Sequence, residues 1–271
     1  MSLSKEAIQL IGDNALLAAG KELNTYTPTL VIPESAKVVD LERYQGGRSR
    51  FRGAFKTDSL SDFGAYVQDR ANLDAQGFIN QKAMSCEVFF NLGTVDEPGH
   101  GDDRAVLQLQ PTAGYKAVDG INGSPMSQRD LSDWIEDWNL NLKAHDADGN
   151  EMGIAKVIAA VRTITVKAIS ESDHAVSETK SSRSAMDQIE ASSKETLPST
   201  LAFSTVPYDG LMERTFTFRL SVITSGREPI LKLRWIAEEV QREEIAREFK
   251  GVLQGLVEDK ASLWLGSFDG R

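Results

Sequence analysis

The stretch 213-ERTFTFRLSVITSGREPILKLRWIAEEVQREEIAREFKGVLQGLVEDKASLWLGSF-268 decides the fold. Phe216, Phe218, Leu220 and Val222 alternate with Thr217, Arg219 and Ser221, the period of two of a half-buried strand. Ser225-Gly226-Arg227 has turn chemistry, and Pro229 opens a second alternating run with Leu231, Leu233 and Trp235 on one side. The pair predicts a β-hairpin. From Glu238 to Asp259 the period changes. Ile245, Phe249, Val252, Leu253 and Leu256 recur by threes and fours, and Glu243, Glu244, Arg247, Glu248 and Lys250 lie opposite them. A long amphipathic helix follows the hairpin. Gly251 and Gly255 share one side of it, where a second backbone could approach closely. Leu263, Leu265 and Phe268 predict a last short strand.

Working back towards the N-terminus, residues 3–19 predict a helix with Ile8, Ile11, Ala15, Leu16 and Ala19 on one side. Leu30-Val31-Ile32 and Lys37-Val38-Val39 read as short strands about Pro33. Ser59, with Asp62 three residues on, caps a helix striped by Phe63, Tyr66 and Val67. Residues 78–92 and 104–109 read as two strands joined by a Gly/Pro/Asp loop, and a helical patch surrounds Tyr115. Ser127 and Asp130 open a helix with Leu131, Trp134, Ile135, Trp138 and Leu142 on one side. A turn at His145–Asn150, a helix at 154–161, a strand at 163–169 and a polar, Ser-rich stretch at 170–200 complete the pattern. The fold class is α+β, a mostly antiparallel sheet with packed amphipathic helices. The expected division is an N-terminal half, 1–150, and a C-terminal half, 151–271, sharing or abutting one sheet.

The 271 residues are enough to bury a large core, as one domain or two. Cys86 is the single cysteine, so no internal disulfide can form, and a reducing compartment is expected. No apolar run approaches the ~20 residues that span a bilayer. No secretory leader is read at the N-terminus. A net charge of −10 argues against the whole surface as a polyanion binder, because that affinity comes from Lys and Arg neutralising phosphates.

One local stretch runs against that charge. Arg48, Arg50 and Arg52 alternate with Ser49, Phe51 and Gly53. In a strand the three guanidiniums share one face, with Phe51 and Phe55 on the other. They are candidates for nucleic-acid phosphates or for acids of another subunit, and an arginine row also guards an edge strand.

His100, Asp102 and Asp103 have metal-ligand chemistry, but H-E-x-x-H and paired-Cys spacings are absent, and a turn explains the Gly/Pro/Asp loop better. Gly149 is fourth in Asp146–Asn150, where a calcium loop needs glycine sixth, so that segment reads as a tight turn. Asp173, Glu178 and Lys180 resemble a nuclease spacing, yet Asp173 is too near in sequence to lie on a paired strand. His174 reads as exposed. Cys86 sits beside Val88, Phe89 and Phe90 and reads as a buried, inert thiol. No nucleophile elbow, phosphate loop or kinase set is present. No catalytic residue, metal or cofactor is assigned.

Several blocks resemble the YfdQ-like family of tailed-phage and prophage proteins of unknown function. They are Ser49–Gly53, Phe90–Gly93 with Gly99-His100, Thr112–Ala117, Ser182–Ala185, Leu197-Pro198 and Pro207–Leu211. Arg219–Ser221, Leu231–Arg234 and Glu244–Phe249 complete the set. These blocks are not catalytic motifs. The resemblance implies a gene of a phage or prophage early region and action in the bacterial cytoplasm.

The functional expectation is a non-enzymatic homo-oligomer, of high order or not, with a host or phage protein as a further partner and no membrane. The alternatives are an accessory protein of phage recombination or replication that binds single strands through Arg48, Arg50 and Arg52, and a metal-dependent nuclease.

Overall fold

The computed structural model describes residues 4–19, 22–23, 29–30, 33, 40–72, 74–164, 197–224 and 229–269. The chain divides into two compact units, Met1–Phe51 and Arg52–Arg271.

In the first unit the predicted helix is α1 (Lys5–Ala19), followed by the antiparallel pair β1 (Glu22–Leu23) and β2 (Thr29–Leu30). Glu42–Tyr44 forms one 3-10 turn. The Glu42 carboxylate accepts from the Ser49 backbone N–H at 3.0 Å and its hydroxyl at 2.8 Å, closing the loop between them.

The second unit begins with β3 (Gly53–Thr57), α2 (Leu60–Arg70), β4 (Gln76–Asn80), β5 (Ser85–Phe89) and β6 (Asp103–Gln108). Next come α3 (Ala113–Ile121), α4 (Gln128–Asp137), β7 (Leu142–His145), β8 (Glu151–Met152) and α5 (Ile154–Thr163). The C-terminal part holds β9 (Thr200–Thr205), β10 (Arg214–Thr224), β11 (Pro229–Trp235), α6 (Glu238–Val257) and β12 (Ser262–Leu265).

The strands make two five-stranded sheets. One, in the order β11-β10-β9-β7-β8, is wholly antiparallel. The other, β12-β4-β5-β6-β3, is antiparallel at its centre, with parallel pairs β12/β4 and β3/β6 at its edges. The α+β class holds, and so does the hairpin followed by a long helix. Pairing crosses residue 150 in both sheets, through β7 with β9 and β4 with β12.

Sequence periodicity sets which faces are buried. Phe216, Phe218 and Leu220 are at most 1% exposed, and Phe218 pairs with Trp235 across the hairpin. Ile245, Phe249, Leu253 and Val257 bury one side of α6. Each such side chain stabilises the fold by about 1.5–3 kcal/mol. α6 also ties the two sheets together. Arg214 of β10 donates to Glu244 and Glu248, both at 2.9 Å, and Gln81 beyond β4 donates to the Ala246 carbonyl at 3.1 Å. Close packing of α2 on α6 uses Gly64, where a Cβ would lie 3.1 Å from Leu256 Cβ. Both predicted caps form: Ser59 accepts from Asp62 N–H, and Ser127 with Asp130 makes a complete capping box.

Three local expectations need correction. β3 begins only at Gly53, so Arg48, Arg50 and Arg52 precede the strand and alternation gives them no common face. Residues 78–92 are a hairpin's worth of chain, because 81–84 turn, with Met84 at φ +50, and split the run into β4 and β5. α4 stops at Asp137, and Leu142 starts β7, where its Cα partner is Phe203. In the sheet Leu142 is 5% exposed. The expected turn at 225–227, the strand residues 31–32, 37–39 and 165–169, and Asp173, His174, Glu178 and Lys180 lie outside the described residues. No helix of the described residues is long and apolar enough to cross a membrane.

Candidate binding face

The mixed sheet has one face against the core. Ile79, Cys86, Val88, Ala105 and Leu107 lie there at 1% exposure or less, with Phe63 and Val67 of α2 in the same cluster. Strand alternation sends the intervening residues outward. One row across the sheet reads Trp264, Phe78, Glu87, Val106, Lys56, and the next reads Ser262, Gln76, Phe89, Arg104, Ala54.

After β12 the chain turns at Gly266, φ +134, and brings Phe268 back over this face. Its ring stacks on Phe78 at 5.2 Å and meets Phe89 edge-on at 5.6 Å. Trp264, on the same face, is 56% exposed. Arg104 Nη1 lies 2.8 Å from Glu87 Oε1, and its guanidinium carbon is 5.9 Å from the Phe89 ring centre. Aromatic planes and the Arg104 guanidinium therefore share a surface.

A built loop walls one side. Gly99 N–H donates to the Leu92 carbonyl at 2.8 Å, and Gly101 N–H to the Asn91 carbonyl at 3.1 Å. The Asn91 amide donates to Asp102 Oδ1 at 2.9 Å while its oxygen accepts from Asp103 N–H at 3.0 Å. Glycine is required at two places. A Cβ on Gly93 would lie 2.3 Å from the Glu97 carbonyl oxygen, and one on Gly99 only 2.0 Å from that of Asn91. Between loop and sheet is a groove of about 600 Å³, lined by Phe89, Phe268, Arg104, Gln76 and His100 among others, a size typical of small-ligand sites.

The three residues considered for a metal do not converge. His100 lines the groove, Asp102 is held by Asn91, and Asp103 turns inward to Arg70 at 2.6 Å. Among the described residues no group of three His, Cys, Asp or Glu is placed to hold a metal ion. Of the arginine candidates, Arg48, Arg50 and Phe51 belong to the first unit and Arg52 to the second. Phe51 is 58% exposed, and Phe55 instead stacks on Tyr66 at 4.3 Å. Cys86 is buried in the sheet, and desolvation, with the Glu87 charge beside it, pushes its thiol up to about 12.

A second polar cluster surrounds Arg242. Its guanidinium bonds Asp119, Glu238 at 2.9 Å and the Tyr115 hydroxyl at 3.3 Å, and lies 5.0 Å over Trp235. Burial alone would lower its pKa, but the Asp119 and Glu238 hydrogen bonds outweigh that and hold it raised. Burial also raises Tyr115 to about 12 against the opposing pull of Arg242, which makes the phenol a poor base or nucleophile near neutral pH.

A family model described as an uncharacterized conserved protein, DUF2303, matches residues 4–268. The chain belongs to the DUF2303 family. No curated protein and no solved structure matches it. The DUF2303 match takes in both the groove and the Arg242 cluster, and its description assigns neither a chemistry. Sequence reading missed Phe78, Phe89, Arg104 and Trp264 as one surface. Their alternation was legible strand by strand, whereas nothing local announces that β12 joins β4.

Proposed function

We propose that this DUF2303 chain is a YfdQ-like, phage- or prophage-encoded protein that acts in the host cytoplasm as a non-enzymatic, self-assembling homo-oligomer. One observation carries the assembly reading. The mixed sheet ends on β12, which has a single strand neighbour among the described residues and carries Trp264 and Leu265 at 56% and 55% exposure. An open strand edge with apolar side chains favours pairing with another chain. The Arg242 and Arg214 clusters support a structural use of charge, since both pair closely with acids of neighbouring elements. Native mass spectrometry and light scattering of the full chain test the reading. Defined multimers are expected, and a monomer at micromolar concentration ends it.

A second reading is favoured by the aromatic face. Trp264, Phe78 and Phe268, with Arg104 on the same face, resemble a stacking platform for single-stranded nucleic acid, where each stacked base contributes about 1–3 kcal/mol. Independently of that face, Arg48, Arg50 and Arg52 are the candidates for phosphate contacts. The net charge of −10 opposes it. Fluorescence anisotropy with a short oligo-dT at ~50 mM salt is the test, since low salt favours phosphate contacts. No binding there removes the reading.

A further inference from the structure

Of the four edges of the two five-stranded sheets, three are covered, short or charged. β11 is flanked by residues 122–126: Gly123 N–H donates to Leu233 O at 2.7 Å, and Met126 and Leu231 exchange two bonds of 2.9 Å. β8 has two residues, one of them Glu151. β3 carries exposed Lys56. β12, of four residues, has neither a charge nor, among the described residues, a flanking segment. Ser262-Leu263-Trp264-Leu265 contains no charge and no proline, and folded proteins normally guard such an edge by one or the other.

We infer that β12 pairs antiparallel with β12 of a second copy about a two-fold axis at Trp264, joining two mixed sheets into one. This rests on the self-assembly reading above and gives it a surface. The partner follows from the chemistry of the edge. A row of backbone N–H and C=O groups is matched by another strand, and two-fold pairing of the same strand is self-complementary.

Register follows from the pleat. A two-fold axis perpendicular to the sheet keeps the outer face outward in both copies, so opposed residues must face the same way. Centring on Trp264 opposes the two Trp264 rings on the outer face. It also opposes Leu263 to Leu265 of the second copy, and Leu265 to Leu263. Centring on Leu263 would set Trp264 against Ser262 and Leu265 against Ala261, a poorer apolar match. Directly opposed Cβ atoms lie about 4.5–5.5 Å apart, close enough for the indoles to pack. A four-residue strand alone falls short of the ~1,200 Å² that stable interfaces bury. Trp264, Leu265 and Phe268, exposed by 56%, 55% and 39%, enlarge the contact.

Two variants of the full chain test the pairing beside the wild type. Trp264→Cys, mildly oxidised, is expected to give a covalent dimer on a non-reducing gel, whereas Lys56→Cys on the opposite edge is not. Trp264→Lys is expected to lower the native mass to half or less while keeping the wild-type circular dichroism. A multimeric wild type with no Trp264→Cys dimer overturns the β12 pairing and leaves self-assembly standing. A monomeric wild type overturns both. Should Trp264→Lys fail to fold, the Trp264→Cys cross-link decides alone.

Discussion

The ring of Phe268 lies nearly flat on Phe78, with centroids 5.2 Å apart and planes at 22°, so the C-terminal segment seals the aromatic row of the mixed sheet. A stacked pair of this kind contributes about 0.5–1.5 kcal/mol beyond area burial. Phe268→Ala is expected to lower the unfolding free energy by at least that order, read as a lower urea midpoint with the slope unchanged. An unchanged midpoint would mean that the ring rests on the sheet without holding the segment there.

Two glycines should respond oppositely to alanine. At Gly99 the new Cβ would lie 2.0 Å from a backbone oxygen, which cannot move without opening the loop, so Gly99→Ala should lower the melting temperature by several degrees. At Gly251, on α6, nothing lies within 4 Å, and alanine should stabilise the helix by up to about 1 kcal/mol. That corresponds to ~2–4 °C in a domain of this size. A Gly251→Ala chain of reduced native mass would instead place a second subunit against that side of α6.

Burial raises Cys86 from 9.0 and Tyr115 from 10.0, each to about 12. Both groups are neutral when protonated, so the stability they contribute is complete below their unfolded pKa values and is lost as pH rises towards about 12. Denaturation midpoints measured from pH 8 to pH 12 should fall above pH 9. A thiol reagent at pH 8 should label Cys86 only once denaturant opens the sheet, since its native thiolate fraction is reduced on the order of a thousandfold. Rapid native labelling would contradict the buried placement.

Arg242 satisfies Asp119, Glu238 and Tyr115 from three directions while covering Trp235. Arg242→Met keeps the apolar stem but leaves the acids unpaired, and should cost about 1–2 kcal/mol after allowance for solvent screening. Arg242→Lys should recover only part of this, because a point charge cannot serve three acceptors in fixed directions. Trp235 fluorescence should shift in both variants, and equal recovery by lysine would argue that only the charge matters.

Much of the local structure was legible from residue spacing. The α6 stripe, the β10–β11 alternation and the Ser59 and Ser127 caps each depend on residues within a few positions of one another, where periodicity and capping chemistry operate directly. Errors arose where two local choices were close in energy. Leu142 continued a helical stripe as well as it opened a strand, and the packing of β7 on β9 decided the matter. Arg48, Arg50 and Arg52 alternated as a strand does, yet the strand begins only at Gly53, which pairs with Asp103.

The sequence by itself determined the α+β class, the C-terminal hairpin and helix, and the inert surroundings of Cys86, because short-range hydrophobic period and burial-prone residue types suffice for these. Only the tertiary structure decided that β12 lies parallel to β4, that Phe268 covers Phe78, and that His100, Asp102 and Asp103 part company. Those outcomes depend on contacts between segments distant along the chain, whose pairing is selected by the packing of the whole sheet.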